Sequence, residues 1–407
     1  MLINLPRAQA LLREDGLDAV ILATTVNVTY AAGFASEFML GRFEDFTTAV
    51  ILPTAPDVPP ALILPEFDLP FLVESRTWIE DLWPYGNPWS SVGIFMGQSL
   101  ERNFATDLRR DLKRRRDALK PRQKETFQAA LMAALDARGL KPARLGCDDM
   151  RLARALEDSG YGRNRVSDVL QTMRRVRMIK TKAELETMTR AADINATALE
   201  AVIAAGHAGM REHDLTQVYR RHLVERGARH LADRGMMFGA GDGANFSLPS
   251  DDDRCLVAGE AVVLDCLGTY KGYHMDLART AVVGEPTKDQ RHRYQAVVRA
   301  LEAVEKAIRP GVHAQNLRGL VRDSIESSGL KRELVSVTTH GLGLEVFEFP
   351  YAESLAAGFV LEAGMVVNTE VFYRDLDIGA FHMEDSVLVT DSGCRMLRPL
   401  TRELVSF

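Results

Sequence analysis

Apolar and polar positions along this chain follow two different periods, and the change of period marks out its elements. MLINLPRAQALLRE at the start has helical spacing and reads as an amphipathic helix. LDAVILAT (17–24), FTTAVILP (46–53), ALILPEF (61–67) and ARLGCDD (143–149) are short β-rich runs, with a Pro-rich loop at 54–60. RLARALEDSG (151–160) returns to helical spacing and stops at a glycine. Strands alternating with helices predict a small α/β domain with a mixed sheet. Residues 78–140 interrupt the pattern with Trp78, Trp83 and Trp89 among Pro and Gly, then a charged helical stretch. The tryptophans read equally as a binding lid, a subunit contact or packing against a neighbouring domain.

The pattern changes near residue 175. RRVRMIKTKAELETMTRAADINATALEAVIAA is a basic run followed by a long amphipathic helix. Thr181 and Glu184 fit a capping box at its start. Beyond it, helices to about 229, at 287–308 and at 313–329 mix with β-rich runs at 261–267, 273–283, 332–340, 365–374 and 382–389. This half reads as an α+β domain around an antiparallel sheet. The expected division is therefore 1–172 and 173–407, with the insert at about 78–140 inside the first domain.

Bulk composition narrows the function classes. The 407 residues carry a formal net charge of −6, which argues against nucleic acid as a partner. The basic run at 109–116 is local and reads as a solvated helix face. Four cysteines, at 147, 255, 266 and 394, lack the spacing of a zinc site. No run is apolar enough to span a membrane, and the N-terminus lacks a signal core. A cytoplasmic protein is the expectation.

The chemistry concentrates in VVLDCLGTYKGYHMDLART, where Asp265 and Asp276 lie eleven positions apart. Val262 to Leu264 read as a buried strand ending in Asp265, LGTYKGY as a hairpin connection with Gly268 and Gly272 in the turn, and the returning strand carries Asp276. Antiparallel strands can bring both carboxylates to one place; alternatively both sit in water at strand ends or pair with Arg279. TTHGLGLEVFEFP adds His340 before a glycine-rich turn, MVVNTEVFY adds Glu370, and HMEDSVLVT adds Glu384. A buried ionised carboxylate is costly unless paired or metal-bound. One histidine alone reads as a core residue, but two Asp, two Glu and one His together suit two adjacent divalent ions: manganese, iron, cobalt or zinc.

This order of motifs resembles the pita-bread metallopeptidase family, which holds methionine aminopeptidase, aminopeptidase P, prolidase and the metal-free creatinase. GTYKGYHMDLART resembles its first metal motif, VRMIKTKAELETM the lead-in to its catalytic domain, LEAGMVVNTE its Glu motif and FHMEDSVLVT its final one. LDAVILATTVNVTYAAGF is similar to a creatinase- and prolidase-type N-terminal domain. The resemblance implies an α/β N-terminal domain followed by a pita-bread catalytic domain, and a homodimer. It implies that Asp265 binds one metal, that Asp276 and Glu384 bridge, and that His340 and Glu370 bind the second. A metal-bridging hydroxide would then attack the carbonyl carbon of the scissile C–N bond, with Glu370 accepting its proton.

The sequence departs from the proline-type peptidases at three substrate positions. In GANFSLPSDDDRC, Ser250 or Asp251 stands where a His is expected; Phe347 replaces a His seven residues after His340; and His382 replaces an Arg two residues before Glu384. Phe347, Phe349 and Tyr351 would make the site mouth aromatic, for an apolar or cationic small substrate. His382 is a candidate general acid and substrate contact, and His274, two positions before Asp276, is a second candidate. The expected function is a dinuclear metallohydrolase of an amide bond, Xaa-Pro peptidase-like, acting on a short peptide or other small molecule. The alternative is a non-peptidase on the same fold, such as a lyase of the dimethylsulfoniopropionate-cleaving type.

Overall fold

The computed structural model describes residues 1–34, 47–69, 71–72, 77–86, 110, 114, 117–161, 166–230, 238–248, 253–351 and 359–407. The chain divides into two compact units, Met1–Val176 and Arg177–Phe407.

The first unit is built on six strands: β1 (Ala19–Leu22), β2 (Ala49–Pro53), β3 (Ala61–Pro65), β4 (Asp81–Tyr85), β5 (Leu145–Cys147) and β6 (Ser167–Asp168), in the order β4-β3-β2-β1-β5-β6. β1 pairs antiparallel with β2 and parallel with β5, which makes the sheet mixed. Helices Phe127–Asp136 and Met150–Asp158 pack their apolar stripes on it. Trp83 is buried in β4, and the Trp78 indole donates to the Ala31 carbonyl, so both pack within their own unit. Trp89, most of the basic run, and Ser250 and Asp251 lie outside the described residues.

The second unit starts at the helix Lys182–Ala205, where Thr181 and Glu184 close the reciprocal capping box. Its strands are β7 (Arg229–His230), β8 (Phe238–Ala240), β9 (Ala261–Tyr270), β10 (Tyr273–Val282), β11 (Val335–Gly341), β12 (Glu348–Tyr351), β13 (Val366–Asp375), β14 (Gly379–Val389), β15 (Cys394–Met396) and β16 (Val405–Ser406). They form one sheet, β12-β11-β13-β14-β10-β9-β7, with β8, β15 and β16 pairing at β9, β14 and β10. Every pair is antiparallel except β10–β16.

β9 runs further than its sequence suggests. It continues through Gly268 to Tyr270, and the turn is Lys271–Gly272, with φ of 50° and 83°. Two consecutive positive φ values suit a tight two-residue hairpin. Gly268 lies inside the strand instead, where a Cβ would sit a tight 3.0 Å from the Arg229 carbonyl and from Leu223 Cδ1.

Side-chain alternation assigns the two faces of the sheet. Val262, Leu264 and Cys266 of β9 and Met275, Leu277 and Ala281 of β10 bury against the helices Lys182–Ala205 and Glu212–Glu225. Val367, Val371 and Tyr373 of β13 and Phe381, Met383 and Val387 of β14 bury against Lys288–Ala307 and Ala314–Ser327. All four helices therefore cover one face. The remaining parity on every strand belongs to the other face, which carries the acids.

Candidate metal centre

Register converts five scattered residues into one cluster. Asp265 lies opposite Ala278, Ala278 opposite Glu384, Glu384 opposite Glu370, and Glu370 opposite Thr338. One row across four strand pairs thus holds three carboxylates. The next row on the same face runs Leu267, Asp276, Ser386, Asn368, His340. The third runs Thr280, His382, Phe372, Ser336 on the opposite side of the first. A slip of one residue in any pairing would send its ligands to the helix-covered face.

The donor atoms form two compact sets. One atom each from Asp276, His340 and Glu384, and one each from Glu370, His382 and Glu384, lie within 4.8 Å of one another in their set. Glu384 belongs to both. His340 Nε2 is 3.7 Å from Asp276 Oδ2, while its Nδ1 faces the Gly341 carbonyl at 2.9 Å. A carbonyl only accepts, so Nδ1 carries a proton, and Nε2 is the ring nitrogen that faces the acids. Asp265 flanks the pair on the first row, and its buried Oδ1 has no hydrogen-bond partner among the described residues. His382 places Nε2 3.0 Å from Glu370 Oε2 and stacks its ring on Phe372 at 4.5 Å between centroids.

Electrostatics make this a site for cations. Burial, opposed by His382 and reinforced by Glu370, raises the Asp265 carboxyl to about 6. Burial first, and then the neighbouring carboxylates, push Asp276 and Glu384 well above the usual range. Glu370 is the exception: burial raises it, but the hydrogen bond and charge of His382 and the charge of His340 bring it below its ordinary value. Four acids this close ionise together only if positive charge joins them. The orphaned Asp265 Oδ1, the shared Glu384 and the all-oxygen-and-imidazole donor set fit hard to intermediate divalent ions. Cys266 points to the helix-covered face.

Arg279 does not neutralise the acids. It donates to Asp385 Oδ1 at 2.8 Å and to the Glu384 carbonyl at 2.9 Å, on the other side of the sheet. Three supporting groups escape a reading of sequence alone. Asn368 Nδ2 donates to Glu384 Oε1 at 2.6 Å, Ser386 Oγ donates to Asn368 Oδ1 at 3.0 Å, and the Thr338 hydroxyl bonds Glu370. The one available signal is the polar Asn two positions before Glu370 in an apolar strand.

Phe347 is 50% exposed and packs against the His340 ring at 4.6 Å and against Tyr351 at 5.6 Å between centroids. Phe349 does not join this wall: its ring pairs with Phe359 and enters the helix-side core. His274 is held by its Nδ1 and backbone N–H against the Gly343 carbonyl, at 3.2 and 2.7 Å.

Comparison with known proteins gives this geometry a family. Residues 186–391 match the model of metallopeptidase family M24, and residues 5–179 that of the creatinase/prolidase N-terminal domain. The chain belongs to metallopeptidase family M24 and is a metallohydrolase, with a creatinase-type N-terminal domain ahead of the catalytic one and carboxylate and histidine groups that could hold a metal ion. It is 31% identical over 247 residues to the Xaa-Pro dipeptidase of Pyrococcus furiosus, covering 59% of this chain and 68% of the relative. It is 29% identical over 420 residues to the probable dipeptidase PepE of Mycobacterium tuberculosis, covering 99% and 95%. Among crystal structures, the prolidase from Pyrococcus horikoshii has the same fold, with a TM-score of 0.73 at 21% identity over 98% of this chain and 99% of that one. The dipeptidase PepE from Mycobacterium ulcerans gives 0.73 at 25% identity, over 99% and 96%. Among the described residues no helix is long and apolar enough to cross a membrane.

Proposed function

We propose that the protein is a dinuclear metal-dependent peptidase that cleaves short Xaa-Pro-type peptides. The observation that carries this reading is the pair of donor sets sharing Glu384 on adjacent rows of one sheet face. Asp276, His340, Glu370 and Glu384 of these sets would hold the ions together with Asp265, which lies in neither set and which the resemblance puts among the ligands in place of His382. When bound, two such ions supply a hydroxide nucleophile near neutral pH and polarise the scissile carbonyl.

The chain's own groups do the rest. His340 is fixed in one tautomer by the Gly341 carbonyl, and Asn368 with Ser386 fixes Glu384. Glu370, held low in pKa, accepts the proton of the attacking water. His382 Nε2, 3.0 Å from Glu370 Oε2, passes that proton to the departing amine. Phe347 and Tyr351 form an apolar wall beside His340 for the substrate side chain. His382 thus works in the place of the arginine that proline-type peptidases carry. The dipeptidase names of the relatives support the substrate class, and the resemblance supports divalent ions of the manganese, iron, cobalt or zinc kind and a homodimer as the working form.

The test is hydrolysis of Xaa-Pro dipeptides and Xaa-Pro-extended peptides with manganese added, and with chelator as control. Chelator-sensitive cleavage that His382→Ala lowers at least 100-fold supports the reading. No cleavage by protein shown to hold two ions refutes it and favours a non-peptidase reaction on the same fold.

A further inference from the structure

Beyond the metal rows, the same sheet face carries a cation that the mechanism above leaves unused. Arg374 lies four positions after Glu370 on β13, so alternation puts it on the acid-bearing face, opposite Ala380. Its guanidinium carbon is 3.6 Å from the centroid of the Phe372 ring, the ring that also stacks on His382. Nη1 donates to Ser336 Oγ at 2.5 Å and Nη2 to Ser247 Oγ at 3.0 Å.

Both of these hydrogen-bond partners are neutral. Among the described residues no carboxylate oxygen forms an ion pair with Arg374, in contrast to the partly buried Arg293 and the fully buried Arg279, which pair with Asp375 and Asp385. Burial works against its charge, and Glu370, already engaged by His382, supports it only through space. A partly buried guanidinium is expensive without a counter-charge. The stack on Phe372 and the two serines hold it in one orientation but leave part of its five-donor fork unfilled. A preorientated fork of this kind matches a carboxylate bidentately, which an ammonium does not.

We propose that Arg374 is the anion receptor of the site and binds the terminal carboxylate of a short peptide, with Ser247, Ser336 and Phe372 positioning it. This rests on the peptidase reading, and it would make the enzyme prefer substrates that end at the residue after the scissile bond.

The test compares Ala-Pro with its C-terminal amide, using manganese-loaded wild type, Arg374→Met and Arg374→Lys, each checked for metal content and thermal unfolding. The readout is the ratio of kcat/KM for acid over amide. Wild type should favour the acid; Arg374→Met should cut that ratio roughly 10- to 100-fold, and Arg374→Lys should retain part of it. A ratio that is the same in wild type and Arg374→Met overturns the assignment, even if both activities fall together. If wild type cleaves neither compound, the peptidase reading fails, and calorimetric binding of the same two compounds decides on Arg374 by the same ratio. Absence of binding to either compound also overturns it.

Discussion

In metal-free form this protein should become less stable as pH rises from about 4 to about 6, and Asp265 should account for much of the effect. The Asp265 carboxyl has an ordinary value of 3.8 and stands at about 6 in the folded, metal-free chain. Between those values the folded state keeps a proton that the unfolded state has released. Stability is therefore full below about pH 4 and is lost through about pH 6. The gap corresponds to about 3 kcal/mol at 1.36 kcal/mol per pH unit. For a unit the size of Arg177–Phe407, that is about 6–12 °C in Tm. The perturbation is Asp265→Asn, which keeps the shape and removes the titration. The assay is thermal unfolding of chelator-stripped wild type and variant at half-unit steps from pH 4 to 7. The two should be nearly equal at pH 4, and the variant should lead by about 3 kcal/mol at pH 7. Added manganese should reverse the order, because the ions select the deprotonated wild-type carboxylate. Parallel pH profiles for the two metal-free proteins would refute the argument that burial, with Glu370 beside it, keeps Asp265 protonated in the absence of cations.

Two further outcomes follow from the same geometry. Asn368→Ala frees Glu384 Oε1 from its 2.6 Å donor, so calorimetry should show metal affinity lowered 10- to 100-fold with the fold intact; unchanged affinity would mean that Glu384 needs no orienting partner. Gly341→Ala would put a Cβ 2.2 Å from the Phe349 carbonyl oxygen, so the backbone beside His340 must shift; unfolding experiments should show a loss of about 1–3 kcal/mol together with weaker metal binding.

Much of this site could be read from the chain because its physical signals are local. An acid in a run of apolar β-formers, as at Asp265 or Glu370, conflicts with burial, and that conflict is visible without a structure. The capping box at Thr181 and Glu184 is likewise a four-residue pattern. What stayed hidden depends on pairing. Gly268 looks like a turn residue until β9 is seen to pass under the Arg229 carbonyl. Phe349 looks like a wall residue until its strand turns it toward Phe359. The contacts of Asn368 with Glu384 and of His382 with Glu370 join residues more than ten positions apart, and only the β13–β14 register brings them together. Arg374 gave no signal at all, since one arginine near a strand end is ordinary.

The most direct test of the central claim is the number of ions bound and its dependence on the shared carboxylate. Elemental analysis of manganese-loaded wild type, His340→Ala and Glu384→Gln, after removal of free ion, measures this. The account expects two ions per chain in wild type, one retained in His340→Ala, and both lost in Glu384→Gln because that residue serves both donor sets. One ion per chain in wild type, or two retained in Glu384→Gln, would contradict it.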